Sequence, residues 1–428
     1  MNRATPNVSG YDPRSHSRVS GLSGNEIFCL QKMGLSPGNL CVGNSVYALG
    51  IKGSLTAGLN ILVGGEIPEV TGLIHDGRVN AISRMLKEAE ACGGYGVTGV
   101  TTELINHASN IEFLSIGSLI HRSSGESEKV AFSTSADAQE LYCQVDAGFR
   151  PVHYVLGNVA YSIGVGGNIG GFFRSLARGE VREYSEIFDQ TRHLALERIT
   201  REARQCKANA VVGINTTITP FMGAQEMLLL GTASNHPALA AYAQNPVTSD
   251  MTNEEMWNMI NIGYLPLRLV MGVSVYSLGI VGGLKSILQS MVRGEVTPLT
   301  SLLYEAREKA LDRVQRDADR CGADHVVGVK IHVYQLGGGL IEFLAIGTAV
   351  KKMEGVTTRS PVLIPQAIIR DRDTFFEGVP QRGRSMDLGE SRKASASSTQ
   401  GGPIAIIVTL AMFVFFLFNF IMPLLRHH

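Results

Sequence analysis

The sequence predicts an α+β protein that consists of three tandem copies of one unit and a single apolar helix at its C-terminal end. Two observations predict the repeats: several residue types recur at offsets of 114 and 115 residues, and each copy alternates helix-like periodicity with valine- and leucine-rich runs. The recurring positions are Gly34, Gly148 and Gly263; Pro37, Pro151 and Pro266; Tyr47, Tyr161 and Tyr276; Gly65-Glu66, Gly179-Glu180 and Gly294-Glu295; Cys92, Cys206 and Cys321; and Gly99, Gly213 and Gly328. The register indicates duplication, so the function belongs to a unit that the chain uses three times.

Each copy is predicted to begin with a short helix. A hydroxyl or carboxylate residue precedes a glutamate by three positions, the spacing of a capping box that satisfies the first backbone amides of a helix. The three pairs are Ser23 with Glu26, Asp137 with Glu140, and Thr252 with Glu255. The helix is expected to end at the glycine of the first column, because glycine adopts the left-handed conformation common after a helix and a proline follows three positions later.

A strand, a glycine-rich turn and a second short helix are predicted next. The strand covers 40–49, 155–163 and 269–278, and the turn covers 50–53, 164–167 and 279–283. The second short helix is expected to carry Leu59 and Leu62, Phe172, Phe173 and Leu176, or Ile287, Leu288 and Met291. The stretch 164–171 has neither G-x-G-x-x-G spacing nor a P-loop lysine, so it indicates a turn for close packing rather than a phosphate site.

The longest helix of each copy and two strands complete the unit. In the third copy apolar residues recur at spacings of three and four, which predicts a helix with one buried stripe. The stripe is Leu303, Ala306, Ala310, Val314, Ala318 and Cys321. The closing strands are predicted at 97–105 with 111–120, 211–219 with 227–233, and 326–333 with 341–350. The unit is therefore a small antiparallel sheet covered by one long helix and two short ones.

The end of the long helix and the strand after it resemble the YbjQ family, whose members are described as heavy-metal-binding. The resemblance is carried by Gly322-Ala323-Asp324 with Val326-Val327-Gly328-Val329, by Asn209-Ala210-Val211-Val212-Gly213-Ile214, and by Gly94-Tyr95-Gly96-Val97-Thr98-Gly99-Val100. It covers 22–122, 136–234 and 251–352. It implies a compact α+β unit that assembles into rings, typically pentamers when a member has one unit. Three fused units and an apolar tail distinguish this chain from the small members.

The segments outside the copies are predicted to have separate roles. Residues 1–21 are polar and predicted disordered, 123–135 and 235–250 are short polar linkers, and 353–402 form a flexible stalk. The last segment, 403–425, has no charge and, as a helix, a length of about 34 Å, enough for a bilayer core. Basic residues before it predict that the bulk of the chain is cytoplasmic. The alternative interpretation of 403–425 is a helix buried in the protein core.

Composition argues against several function classes. The chain has 38 basic and 38 acidic residues, and this zero net charge argues against nucleic-acid binding through phosphates. Five of the six cysteines fall in two columns that supply at most one thiol each per copy, which indicates reduced thiols rather than disulfides. No nucleophile elbow, zincin, kinase or redox motif occurs, so neither an enzyme nor a resident cofactor is expected.

Two sets of residues recur in a way that suggests chemistry. The candidate metal ligands are Cys92, Cys206 and Cys321. A soft metal needs about two to four converging ligands, so these thiols form a site only if assembly brings several together; otherwise each is a small apolar residue of a helix. Two glutamate columns, Glu66, Glu180 and Glu295 with Glu112, Glu226 and Glu342, favour interface ion pairs or helix caps over acid–base catalysis.

The leading hypothesis is a non-enzymatic, tail-anchored scaffold that assembles with itself into a ring-like or cage-like homo-oligomer, with five-fold symmetry as the expected form. It is expected on the cytoplasmic face of a membrane, attached through 403–425, because closed symmetry is how a self-complementary repeat avoids open-ended growth. The alternative is a module that sequesters a heavy metal or small ligand through cysteines brought together by assembly.

Overall fold

A computed structural model describes most of the predicted repeats. The described residues are 18–48, 65–107, 110–122, 129–162, 179–221, 224–277, 297–337 and 340–369. All of them belong to one compact unit of the chain, Met1–Phe376. The predicted glycine-rich turns, the second short helices and the transmembrane segment 403–425 lie outside these ranges. Within them, no helix is both long and apolar enough to cross a membrane.

Each copy contributes one short helix, one long helix and three long strands. The first copy consists of α1 (Gly24–Lys32), β1 (Leu35–Ala48), β2 (Gly65–Glu66), α2 (Pro68–Ala91), β3 (Gly96–His107) and β4 (Asn110–Arg122). The second consists of α3 (Ala138–Asp146), β6 (Arg150–Ser162), β7 (Gly179–Glu180), α4 (Arg182–Gln205), β8 (Ala210–Phe221) and β9 (Ala224–Asn235). The third consists of α5 (Asn253–Asn261), β11 (Tyr264–Ser277), α6 (Thr297–Arg320), β12 (His325–Gly337) and β13 (Leu340–Lys352). The connecting segments hold β5 (Phe132–Ser133), a 3-10 helix (Pro237–Tyr242), β10 (Val247–Thr248) and α7 (Pro365–Ile368).

The long strands of each copy pair antiparallel, as the sequence predicts. The sheets have the orders β1-β4-β3-β5, β10-β8-β9-β6-β2 and β12-β13-β11-β7. The long helix of each copy packs across its own sheet, and the predicted stripe on α6 includes the buried Ala306, Ala310, Val314 and Ala318. The α+β class and the repeated unit are confirmed for the described elements.

The local sequence signals act as predicted. All three capping boxes form, with the N-cap side chain accepting from the glutamate amide and the glutamate side chain accepting from the N-cap amide. Gly34, Gly148 and Gly263 follow the short helices with φ values of 72°, 91° and 87°, the left-handed region that favours glycine. The prolines that follow these glycines were predicted to precede the strands, but they lie within them, where the pairing register shifts.

A glycine in each long strand allows the long helix to approach closely. A Cβ atom on Gly157 would lie 2.3 Å from the carbonyl oxygen of Ala195 on α4. Gly43 and Gly272 occupy the same position in the other copies and meet α2 and α6 in the same way. The helix backbone therefore rests directly on the strand, which fixes the position of each long helix on its sheet.

The predicted linkers are built into the sheets. Within 123–135, β5 pairs parallel with β3, and the Thr134 hydroxyl lies 2.8 Å from that of Thr232 in the second copy. Within 235–250, β10 pairs parallel with β8. The described part of the predicted stalk also packs on the fold: Leu363 and Ala367 are buried, and 370–402 lies outside the described residues. The described parts of these segments therefore pack against the copies.

Candidate assembly interface

The first and second copies each add a strand to the sheet of the next copy. β2 of the first copy pairs antiparallel with the end of β6, so that Glu66 lies opposite Tyr161. β7 of the second copy pairs with the end of β11, so that Glu180 lies opposite Tyr276. We call these two contacts the joints. At each joint, one copy presents a donor face, formed by its two-residue strand, long helix and first closing strand, and the next copy presents an acceptor face on its first long strand.

The beginning of the donor helix continues this pairing with a side chain. Thr71 Oγ1 on α2 accepts a hydrogen bond from the Ala160 amide at 2.9 Å. Ser185 Oγ on α4 accepts one from the Val275 amide, also at 2.9 Å. In both joints a hydroxyl thus satisfies a backbone donor that the sheet leaves open, which makes the second joint a copy of the first at the level of single atoms.

A buried ion pair lies within each joint. Arg78 on α2 contacts Glu226 on β9, and Arg192 on α4 contacts Glu342 on β13, each with 2.8 Å between nitrogen and oxygen. The second pair is fully buried, and Arg192 also donates to the Tyr161 hydroxyl. Burial raises the pKa of Glu342, and the positive charge of Arg192 opposes that shift. Removing either charge would leave the other without its partner in the interior.

A second ion pair lies at the rim of each joint. Glu66 of β2 contacts Arg198 on α4, and Glu180 of β7 contacts Arg313 on α6, both at 2.7 Å. Four of the six glutamates in the two predicted columns therefore form ion pairs between copies: Glu66, Glu180, Glu226 and Glu342. For these four, the prediction of interface ion pairs is confirmed. Of the other two, Glu295 lies outside the described residues, and Glu112 bonds within its own copy.

Apolar side chains fill the space between the copies. The first joint shares one cluster formed by Ile82, Met85 and Val100 of the first copy with Tyr154, Leu156 and Leu228 of the second. The second joint shares a cluster formed by Ile199 and Ile214 of the second copy with Leu269, Met271 and Leu344 of the third. At each joint, therefore, both copies contribute to one hydrophobic cluster, as neighbouring repeats do in a stacked repeat protein.

The short helices of neighbouring copies also contact one another. Trp257 on α5 donates its indole N–H to Asp146 at the end of α3, with 2.7 Å between Nε1 and Oδ2. Asp146 also accepts from the Ser360 hydroxyl at 2.7 Å, so the segment after β13 packs at the same place. The only tryptophan of the chain therefore lies at the boundary between the second and third copies.

The two outermost faces of this array are exposed. On β1, Val42 and Val46 are 42% and 58% exposed, whereas their equivalents at the joints are buried. At the other end, Arg307 of α6 is exposed although Arg78 and Arg192, at the same position, are buried. Three strand residues of the third copy's donor face are exposed as well: Val329, Ile331 and Val333. Within the described residues, the first copy therefore has an uncovered acceptor face on β1, and the third copy has an uncovered donor face on α6 and β12.

The arginine column of the joints was not predicted from the sequence. Arg78, Arg192 and Arg307 recur at the same offsets as the glycine columns, so the signal was present. Their partners were not visible, because Arg78 and Glu226 are 148 residues apart and belong to different copies. The two charges approach each other only when one copy packs on the next.

The candidate metal-binding cysteines lie apart from one another. Cys92, Cys206 and Cys321 follow α2, α4 and α6, and each packs against a different hydrophobic cluster. Burial raises the pKa of Cys206 and of Cys321, which favours thiols over the thiolates that bind metals. Among the described residues, no group of three or more His, Cys, Asp or Glu side chains is arranged to hold a metal.

One cleft at the first joint contains ionisable groups. It has a volume of about 570 Å³, and its lining includes Cys206, His75 and Glu202. His75 Nε2 lies 3.7 Å from Glu202 Oε1 across the joint. Burial lowers the pKa of His75, which favours its neutral imidazole. Burial also raises the pKa of Glu202 to about 7, so about half of this carboxyl is protonated at neutral pH.

Comparison with known proteins gives one family and several relatives. The profile of the YbjQ family, described as "Putative heavy-metal-binding", matches residues 37–117, 149–236 and 262–353. An encapsulin nanocompartment protein of Mycobacterium tuberculosis is 27% identical over 243 residues, 55% of this chain and 91% of that protein. UPF0145 proteins of Methanococcus maripaludis and Burkholderia ambifaria are 42% and 33% identical over 85 and 107 residues, covering 20% and 24% of this chain and 76% and 88% of their own. The match to each small relative has about the length of one copy.

Proposed function

The chain belongs to the YbjQ family, and from this premise we propose that it is a non-enzymatic scaffold that assembles with copies of itself. The observation that carries the proposal is the joint, which occurs twice with the same strand addition, hydroxyl contact and buried arginine–glutamate pair. A face that binds its counterpart twice within one chain is suited to bind it again between chains. The similarity to a relative named as a nanocompartment protein supports an assembly role.

The mass of the native particle tests this proposal. The full chain, purified in mild detergent, is expected to sediment as a homo-oligomer at micromolar concentration and to dissociate on dilution. A closed ring or cage would give one defined particle in electron microscopy, whereas an open array would give a broad distribution of lengths. A single species of monomer mass at all concentrations tested would contradict the proposal.

We further propose that residues 403–425 anchor the scaffold to a membrane with the repeats on the cytoplasmic side. The support is the sequence of this segment, which has no charge and the length of a bilayer span. The full chain is expected to remain in the membrane fraction after carbonate extraction, and a chain that ends at residue 402 is expected to be released. Equal release of both chains would argue against the anchor, and digestion of the repeats by protease from the outer side would argue against the orientation.

Metal sequestration is the alternative, favoured by the description of the family and by the position of Cys206 in the cleft of the first joint. In this proposal thiols from several chains converge on assembly. Elemental analysis of protein purified without chelator tests it, with Cys206→Ser and Cys321→Ser variants as comparisons. Stoichiometric zinc or copper that both substitutions remove would support sequestration. Metal far below one ion per chain would count against it.

A further inference from the structure

The two joints identify the face that the first copy leaves unused. In the second copy, the acceptor face contains Leu156 and Ala160, which are 1% and 0% exposed beneath the donor face of the first copy. The equivalent residues of the first copy, Val42 and Val46, lie on β1, which pairs on one side only with β4 in the described structure. An exposed apolar edge strand is a template for pairing with another chain.

The glutamate of this face lies in the position of its buried equivalents. Glu112 on β4 corresponds to Glu226 and Glu342, and its side chain is 19% exposed. It bonds Asn44 at 2.9 Å and His107 at 2.7 Å, both within its own copy. These bonds lower the pKa of Glu112, so the carboxylate carries its negative charge at neutral pH. The acceptor face of the first copy therefore offers the same charge as the acceptor faces of the joints.

The third copy offers the complementary face. Arg307 on α6 lies over the ring of its own Phe343 at 5.8 Å, and its side chain is exposed. Beside it, Val329 is 42% exposed, whereas Ile214 and Val100 at the same position are 4% and 2% exposed within the joints. Both the cation and the apolar surface of a donor face are thus present, and within the described structure no later copy covers them.

We propose that the donor face of the third copy binds the acceptor face of the first copy of a second chain, with Arg307 paired to Glu112 of that chain. The inference rests on the proposed self-assembly and specifies which surfaces meet. A second chain is the partner that fits. The acceptor face of the first copy needs a donor face, the third copy needs an acceptor face, and a second copy of this chain offers both. The contact repeats the buried arginine–glutamate pair of the joints, and it buries Val46 as the joints bury Ala160 and Val275.

This geometry constrains the size of the assembly. A head-to-tail contact either closes into a ring or continues as an open filament. Each chain contributes three copies, so a ring closed by whole chains contains a multiple of three copies. A ring of only five copies is incompatible with this contact, and five-fold symmetry would require five chains in one ring.

Charge exchange between the two ends tests the contact. Arg307→Glu places two carboxylates together at every contact, and Glu112→Arg places two guanidinium groups together. Each variant alone is expected to weaken the association at least about 100-fold, as expected from breaking a buried pair. An equimolar mixture is expected to assemble, because each altered end then meets an opposite charge. In an open array, or in a ring with an even number of chains, the mixed particles should contain the two chains alternately and in equal number; a ring of five chains cannot alternate and should change its size. The double variant should also assemble.

The controls distinguish failure of the proposed contact from failure of self-assembly. Lys309→Glu changes an exposed charge on the same helix and is expected to leave assembly unchanged. Fluorescence of Trp257 and circular dichroism check that each variant is folded. If the unaltered chain is monomeric, both the self-assembly and this contact are wrong. If it assembles but Arg307→Glu and Glu112→Arg assemble equally well, self-assembly stands and the proposed contact is wrong.

Discussion

Replacement of Arg192 by methionine isolates the contribution of the buried ion pair at the second joint. The guanidinium contacts both oxygens of Glu342, with Nη2 at 2.8 and 2.9 Å, and both side chains are fully buried. Methionine fills much of the same volume but leaves the carboxylate without its partner. Loss of one member of a buried pair costs about 3–5 kcal/mol, so Arg192→Met is expected to lower the free energy of unfolding by that amount.

The assay is equilibrium unfolding in denaturant, followed by the fluorescence of Trp257. This residue is the only tryptophan and bonds Asp146 across the same pair of copies, so its emission reports on the second joint. Arg201→Met is the matched control, because it makes the same chemical change at an exposed position of the same helix. It is expected to alter the free energy of unfolding by less than about 0.5 kcal/mol.

The double variant Arg192→Met with Glu342→Met completes the cycle. Without either charge the interior is apolar, and the double variant is expected to lie within about 1 kcal/mol of the original protein. The reasoning is refuted if Arg192→Met costs no more than Arg201→Met, or if the double variant is less stable than Arg192→Met. Either result would show that the joint does not depend on compensation between these charges.

Three further changes test other parts of the fold. Gly157→Ala places a Cβ atom 2.3 Å from a backbone oxygen and is expected to lower the free energy of unfolding by about 1–3 kcal/mol, measured by thermal unfolding. Gly72→Ala, where nothing lies within 4 Å of the new Cβ atom, should be neutral or stabilising. Equal effects of the two substitutions would contradict the close approach. Burial raises the pKa of Glu202 from 4.5 to about 7, so between these pH values the folded carboxyl keeps a proton that the unfolded chain releases. As the pH rises from 5 to 8, the free energy of unfolding of the original protein should fall by up to about 3 kcal/mol relative to that of Glu202→Gln. Parallel pH profiles of the two proteins would count against this. Asp137→Ala removes a helix cap that accepts from Glu140 at 2.8 Å and should cost about 1 kcal/mol in denaturant unfolding; an unchanged midpoint would argue against the cap.

Local signals made much of the unit predictable. A capping box acts over four residues, and the apolar stripe of α6 repeats over one helical turn, so both are readable without knowledge of the fold. The predicted strands are shorter than those observed: 40–49 became Leu35–Ala48, because pairing continues through a proline bulge that the sequence analysis placed before the strand. The segments between the copies were predicted to be linkers. The strands that lie in them, β5 and β10, have two residues each, which is too short to give a periodic signal in the sequence.

The sequence by itself determined the three copies, their described helices and strands, and the glutamate columns that recur among them. Only the tertiary structure decided what these columns do. It places Gly65-Glu66 and Gly179-Glu180 on the sheet of the following copy, and it joins Arg192 to a glutamate 150 residues further along the chain. The reason is physical: capping and periodicity arise between residues a few positions apart, whereas the partner of a buried charge is fixed only when two separately folded surfaces pack and exclude water.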